Sequence, residues 1–434
     1  MKTLIVLLAS AVVYGCGGGS STVADNAAPV VNTPAPVVDQ LITSAIPSQG
    51  VYVPALVLGN FTNDGARYVL SAGWISNSNG WPNAPIKILK INADNTATDV
   101  TVSILGSEQL ASTNIPIVAD FNGDGIDDIF LPGFRDMPVG NSGSIVFLSR
   151  PGQSHQRVDL PNQVWSHGAV AVDINGDGAI DVVNSHGQMW LNDGHGNFTF
   201  RDYAYNLNNL SVGAYMNGSG VCAGDFNNTG RTQIVITDVE NTAHHLPISD
   251  TIIFELDNQL QSTNWHALPV PILDRGATTE ISHDIACQVA DINRDGKLDI
   301  IVISRPLDSA RNGQWTSEGR IQIYLNQGNW VFTDITDTLV NYDQNVIASY
   351  TPMIMDLNND GKLDIWLGAP NSANQVLLNN NSTVMTRAMK STIDSYGATG
   401  PMIPVKFGNQ WSLVYTKFSN SGYTYHISAN KVQF

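Results

Sequence analysis

Charge is scarce in this chain of 434 residues: 14% of positions are Asp, Glu, Lys or Arg, and 21 basic residues face 38 acidic ones. The formal charge of −17 excludes nucleic acid as a partner, because phosphate backbones are bound through Lys and Arg. Long apolar runs are also missing, and the ten residues from Leu4 to Val13 are too few for a mature transmembrane helix. Enzyme signatures are few: the chain has no HisGluXxxXxxHis, no CysXxxXxxCys, no GlyXxxSerXxxGly elbow and no phosphate loop. What the sequence does hold is turn formers, 38 Gly and 20 Pro, which point to a turn-rich, all-β chain.

The turn formers are not scattered. In Asp291-Ile-Asn-Arg-Asp-Gly-Lys-Leu-Asp299 oxygen side chains stand at positions one, three, five and nine, with glycine at six. Glycine permits the sharp turn that aims those oxygens inward, and a hard cation such as Ca²⁺ wants six to eight of them. The position-seven carbonyl and water would complete the shell. Without metal, the same residues read as an Asx-rich hairpin turn. Three converging carboxylates would repel one another, which favours the cation. Full copies supply Asp120, Asn122, Asp124 and Asp128; Asp173, Asn175, Asp177 and Asp181; Asp291, Asn293, Asp295 and Asp299; and Asp356, Asn358, Asp360 and Asp364. These are four expected structural Ca²⁺ sites. Weaker copies start at Asn60, which keeps only Asp64, and at Asp225, which keeps one carboxylate.

The six loops begin 52 to 66 residues apart, the signature of one supersecondary unit used many times. The fifth shows its parts: strands at 285–290, 297–303, 320–325 and 330–335. Four antiparallel strands per unit fit a β-propeller blade, rather than a β-solenoid or tandem small sandwiches. A seventh unit, without the acidic loop, is expected near 405–415. The expected fold is an all-β, seven-bladed propeller of four-stranded blades over residues 49–434.

These loops, each followed by a strand such as LeuAspIleIleVal, resemble FG-GAP/VCBS repeats, as in the propellers of integrin α-subunits. The resemblance implies a propeller with Ca²⁺ held between strands one and two on its lower face. It implies little about activity, because propellers host adhesins, lectins, lyases and scaffolds alike.

At the start, Lys2 and the apolar run make an export signal over residues 1–15. Its end, Val13-Tyr-Gly-Cys16, resembles a bacterial lipobox, with valine where leucine is commonest and a bulky Tyr14. That resemblance implies a lipidated Cys16, attachment to a membrane through the lipid, and an outer-membrane location in the cell envelope. The alternative is an ordinary secretory signal. Residues 16–48, rich in Ala, Pro, Val, Thr and Asn after a Gly-Ser run, are expected as a flexible tether. Cys222 and Cys287 lie three and four residues before their loops, on strand one of neighbouring units. The export setting permits a disulfide, but the one-residue offset directs them to opposite strand faces and predicts buried free thiols.

With the lower loops occupied in holding themselves, binding is expected on the other face, where loops vary in length. Candidates there are Trp74, Trp81, Arg135, His167, His244, His283, Arg305 and Trp315. Aromatics among Asn, Arg and His suit a sugar surface, stacking on the ring and bonding hydroxyls, though each is also an ordinary packing residue. The expected function is a calcium-stabilised binding or adhesion module for a glycan or a cell-surface protein. Rival readings are a polysaccharide lyase or hydrolase on the same face, with His167, His283 and Arg305 as candidates for its base and charge stabiliser, and a scaffold subunit of an envelope complex.

Overall fold

The computed structural model describes residues 39–46, 51–76, 83–94, 96–113, 115–133, 143–160, 166–202, 218–237, 251–270, 282–308, 314–315, 320–338, 352–367, 375–381, 384–387, 402–407, 410–419 and 422–428. They form seven four-stranded antiparallel blades of a β-propeller, as expected. Blade 5 shows the common plan: Ser282–Ala290, Asp299–Asp308, Arg320–Asn326 and Phe332–Asp334 pair in order, from the inner strand outward. Blade 5 also carries a short extra strand, Gln314–Trp315, beside the far end of its second.

Burial follows position in the blade. Second strands such as Asp128–Leu131 and Gln233–Thr237 are buried along their whole length, because each blade is covered on both faces by its neighbours. Outer strands such as Gln156–Asp159 are largely exposed. The core is accordingly divided into slabs between blades. Phe121, Phe130, Val182 and Trp190 fill the gap between blades 2 and 3, and Ile301, Ile303, Ile323 and Ile365 that between 5 and 6. Fully burying one such side chain contributes about 1.5–3 kcal/mol.

Two expectations need correction. The stretch expected to be tether as far as residue 48 contains a blade strand. Asp39–Ile46 pairs with Gly422–Ser428 and completes blade 7, whose other strands are Met402–Phe407 and Gln410–Ser419. Its partner lies almost the whole chain away, so no local pattern announces it.

The cysteines are the second case. Cys222 and Cys287 are disulfide-bonded with their Cα atoms 5.7 Å apart. The offset does turn them to opposite faces of their own blades: Cys222 pairs with Val235 and Cys287 with Val302. Neighbouring blades, however, stack face against face. Opposite faces of adjacent sheets are therefore the two that meet, and both cysteines fall in the slab between blades 4 and 5.

Candidate functional site: loops at one end, raised strands at the other

Each of the four full loops closes on itself through the same hydrogen bonds. In blade 2 the Asp120 carboxylate accepts the N–H groups of Gly123, Asp124 and Gly125 at 2.7–3.1 Å. Asn122 Oδ1 accepts from Asp124 N–H at 3.0 Å, and Asp124 Oδ1 from Ile126 N–H at 2.9 Å. Asp173 repeats the first pattern in full, and Asp291 and Asp356 its bonds from positions five and six; Asn175, Asn293 and Asn358 repeat the second, and Asp177, Asp295 and Asp360 the third. Position six has φ near +80° and position four is also left-handed, whether it is Gly123 at +76° or Arg294 at +60°. Arg294 bears that strain because the turn leaves its neighbours no other path.

The ninth-position aspartates work differently. Asp128, Asp181, Asp299 and Asp364 are fully buried. Asp299 Oδ2 accepts Ile292 N–H at 2.9 Å and its Oδ1 accepts Asn326 N–H at 2.8 Å, so one carboxylate ties the loop to strand three. Burial, reinforced by neighbouring carboxylates, pushes Asp128 and Asp299 up to about 6 and Asp181 up to about 7, against the hydrogen bonds they accept. Asp364 is raised for the same reason.

Among the described residues, no three His, Cys, Asp or Glu side chains gather into a preformed metal cluster. The oxygens a cation would use are instead shared among carboxylates, the Asn amide and the position-seven carbonyl. The residues fit the ion on another observation, made in blade 4. There Gln233 replaces the ninth aspartate, and its Nε2 donates to Asn227 Oδ1 at 3.3 Å and to the Arg231 carbonyl at 2.7 Å. A donor therefore sits between the oxygens of positions three and seven in blade 4, where the full loops have a carboxylate at position nine. The set suits a hard divalent cation.

One recurring residue escaped the sequence reading. At the end of strand three, Asn192, Asn326 and Asn379 each donate Nδ2 to a position-two carbonyl of the preceding blade: Phe121 at 2.7 Å, Phe226 at 2.8 Å and Ile292 at 2.8 Å. Trp411 Nε1 does the same to Leu357 at 2.9 Å, and His155 Nε2 meets the Phe61 carbonyl at 3.1 Å. The recurring Leu-Asn pair at 191–192, 325–326 and 378–379 was the available signal.

Strand one runs toward these loops and strand two away from them. The start of the first and the end of the second therefore lie at the opposite end of the ring. Trp74 is there, half-buried and bridged to Asn83. So is His167, half-buried, with its ring 6.4 Å from that of His186. In blade 5 the backbone sets His283 opposite Arg305, and Trp315 opposite Leu307 just beyond. These positions belong to blades 1, 3 and 5, so only His283, Arg305 and Trp315 share one sheet. Trp81, Arg135 and His244 lie outside the described residues, as does Cys16.

Directly after His283 lies a group the sequence reading did not single out. Asp284 is buried and accepts hydrogen bonds from Thr251 Oγ1 at 2.5 Å, from Ser304 Oγ and from Gln322 Nε2 at 3.3 Å. Tyr324 OH donates to Gln322 Oε1 at 3.0 Å and extends the network. It joins blades 4 and 5 beneath the raised ends of strands one and two.

Comparison with known proteins adds the following. Residues 291–367, the fifth loop through strand two of blade 6, match the family described as FG-GAP-like repeat. No curated protein matches the chain significantly. Among solved structures, a lectin of Agrocybe aegerita that recognises non-reducing terminal N-acetylglucosamine has a TM-score of 0.49 at 14% identity, over 79% of this chain and 87% of that one. BBS1N in complex with ARL6DN has a TM-score of 0.43 at 10% identity, over 92% and 98%. The exotype rhamnogalacturonan lyase YesX has a TM-score of 0.40 at 11% identity, over 89% and 68%. At these scores the likenesses carry no argument about ligand or chemistry. The chain is a seven-bladed β-propeller that contains an FG-GAP-like repeat.

Proposed function

We propose that this chain is an exported, lipid-anchored binding module, stiffened by Ca²⁺ in four loops at one end and binding a glycan at the other. The observation that carries the binding reading is a difference in strand length. In blade 1 the ladder between strands one and two runs from Gly59 opposite Tyr68 to Val51 opposite Ser76, and in blade 5 from Ala290 opposite Asp299 to Ser282 opposite Pro306. In blade 3 it stops at Ala169 opposite Asn184. The longer ladders raise two rims on the end away from the acidic loops. One bears Trp74, and the other bears His283 across from Arg305. Raised rims carrying an aromatic and polar groups on a rigid scaffold suit a sugar, whose ring stacks and whose hydroxyls take hydrogen bonds.

Calcium enters through the donor set described above. Its role in this reading is to neutralise three carboxylates per loop and hold strands one and two at a fixed turn, with no part in chemistry. Cys16 would carry the lipid, and the stretch before Asp39 would hold the propeller off the membrane.

The test is retention on an array of glycans and polysaccharides, in Ca²⁺ and again in EDTA, with the eluate assayed for released oligosaccharides. A defined sugar set retained in Ca²⁺ and not cleaved is the expected result. Substitution of Trp74, His283 and Arg305 should then abolish it. No retention in either condition overturns the glycan reading, and cleavage products would favour an enzyme. Separately, titration with Ca²⁺ should raise the melting temperature, since an ion bound only by the folded chain stabilises it by mass action. A melting temperature that ignores Ca²⁺ overturns that part.

A further inference from the structure

Two of the six loops lack the ninth-position carboxylate, and in both a side-chain nitrogen of the protein donates to loop oxygen, to two oxygens in blade 4 and to one in blade 1. In blade 4 the backbone is that of a full loop. Asn228 and Gly230 are left-handed at +55° and +80°, like Arg294 and Gly296 in blade 5 at +60° and +83°. Asp225 accepts the N–H groups of Thr229 and Gly230 at 3.0 and 2.6 Å, as Asp291 accepts those of Asp295 and Gly296. Gln233 Oε1 accepts Phe226 N–H at 2.7 Å, the bond that Asp299 Oδ2 makes to Ile292. The other half of the amide, Nε2, bridges Asn227 Oδ1 and the Arg231 carbonyl. One side chain thus reproduces the carboxylate on one side and a donor centre on the other.

In blade 1 the ninth position is Tyr68, and its cross-strand partner is Lys90. Lys90 Nζ stands 2.6 Å from Asp64 Oδ2 and 5.9 Å from the centre of the Tyr68 ring. Tyr68 OH donates to the same Asp64 oxygen at 2.9 Å and meets Thr62 Oγ1 at 2.7 Å. Burial pulls the Asp64 carboxyl upward, but the bonds from Lys90, Ala66 and Tyr68 outweigh it and hold Asp64 well below the usual carboxylate range. Asn63, unlike its counterparts, keeps a negative φ, so this loop has also left the common backbone.

Lysines reach the fifth-position carboxylate in two full loops as well: Lys297 to Asp295 at 2.7 Å and Lys362 to Asp360 at 3.6 Å. Those lysines stand at position seven of their own loops and leave the buried ninth carboxylate in place. They trim the charge of the loop.

We propose that the Gln233 amide and the Lys90 ammonium take the place of the cation in blades 4 and 1, so that the chain holds four Ca²⁺ ions and two of its loops stay closed without any. This rests on the calcium reading above. It divides the six loops into four that answer to Ca²⁺ and two, in blades 1 and 4, that do not.

Native mass spectrometry of the full chain in Ca²⁺ counts the ions directly. Four are expected in the wild type. The double variant Thr229→Asp/Gln233→Asp restores every acidic position on a backbone already shaped for it, and should bind five. Lys90→Met should keep four ions and lower the melting temperature by the same amount in Ca²⁺ and in EDTA. Five or six ions in the wild type, no fifth ion in the double variant, or a Lys90→Met defect that Ca²⁺ repairs would each overturn the proposal. A wild type that binds no Ca²⁺ overturns the calcium reading itself, which separates the two failures.

Discussion

The seam between blades 7 and 1 and the seam between blades 4 and 5 solve the same problem by different means. At the first, strands from early and late in the chain meet. Asp39–Ile46 adds to Gly422–Ser428, Ser71 Oγ and Tyr425 OH share a hydrogen bond of 2.8 Å, and Leu56 and Val69 pack with Val405 and Leu413. At the second, the chain runs on from one blade to the next. There the slab holds a disulfide, the Asn326 tie and the buried Asp284 network. The first seam is closed by sheet pairing that spans the whole sequence, the second by a local covalent bond. A ring needs every seam shut, so each closure matters to all seven blades.

Deleting Asp39–Ile46 should have the largest effect. It strips blade 7 of a strand, and at about 1 kcal/mol per net hydrogen bond the loss is on the order of 5 kcal/mol. Denaturant unfolding would measure it. If stability is unchanged, the ring does not depend on this closure and the contrast between the seams collapses. Next comes Cys222→Ala/Cys287→Ala. With the cysteines 65 positions apart, the chain-entropy argument gives a loss of about 4 kcal/mol. Unfolding with and without reductant should show it in the wild type, and hydrogen exchange should locate the added opening in blades 4 and 5.

Asn326→Leu sharpens the comparison within one seam. It leaves the carbonyls of Phe226 and Leu298 without their donor while the disulfide stays, at a cost of about 2 kcal/mol. A loss below about 0.5 kcal/mol would mean that water replaces the Asn. The smallest effect belongs to the seam of blades 1 and 2. Burial of His155 holds its imidazole below the ordinary histidine value, against the Phe61 carbonyl and Asp124, with Arg150 adding to the depression. At this one site the unfolded chain binds more protons than the folded one as pH falls below about 6.5, so the contribution of His155 to stability declines through that window. His155→Gln should flatten this part of the profile of unfolding midpoint against pH, while an identical slope would assign it to other groups.

The sequence reading succeeded where the physics is local. Asp291, Asn293, Asp295 and Gly296 bond to one another's backbone within six residues, so their types and spacing announce the turn without its surroundings. The second strand of blade 5 announced itself by the apolar run Ile300–Ile303, although it runs on to Asp308. Asn326 and Asp284 were passed over because their meaning lies in the neighbouring blade. A lone Asn after a strand looks like any loop residue until Phe226, 100 positions earlier, supplies the carbonyl it serves.

Taken alone, the sequence determined a seven-unit, four-stranded repeat with an acidic turn at a fixed place, because strand periodicity and Asx-Gly turns are encoded over fewer than ten residues. Only the tertiary structure decided how the units close. It made residues 39–46 a blade strand and joined Cys222 to Cys287. Those outcomes depend on which faces and ends meet when sheets stack in a ring, and that geometry exists only once the ring is closed.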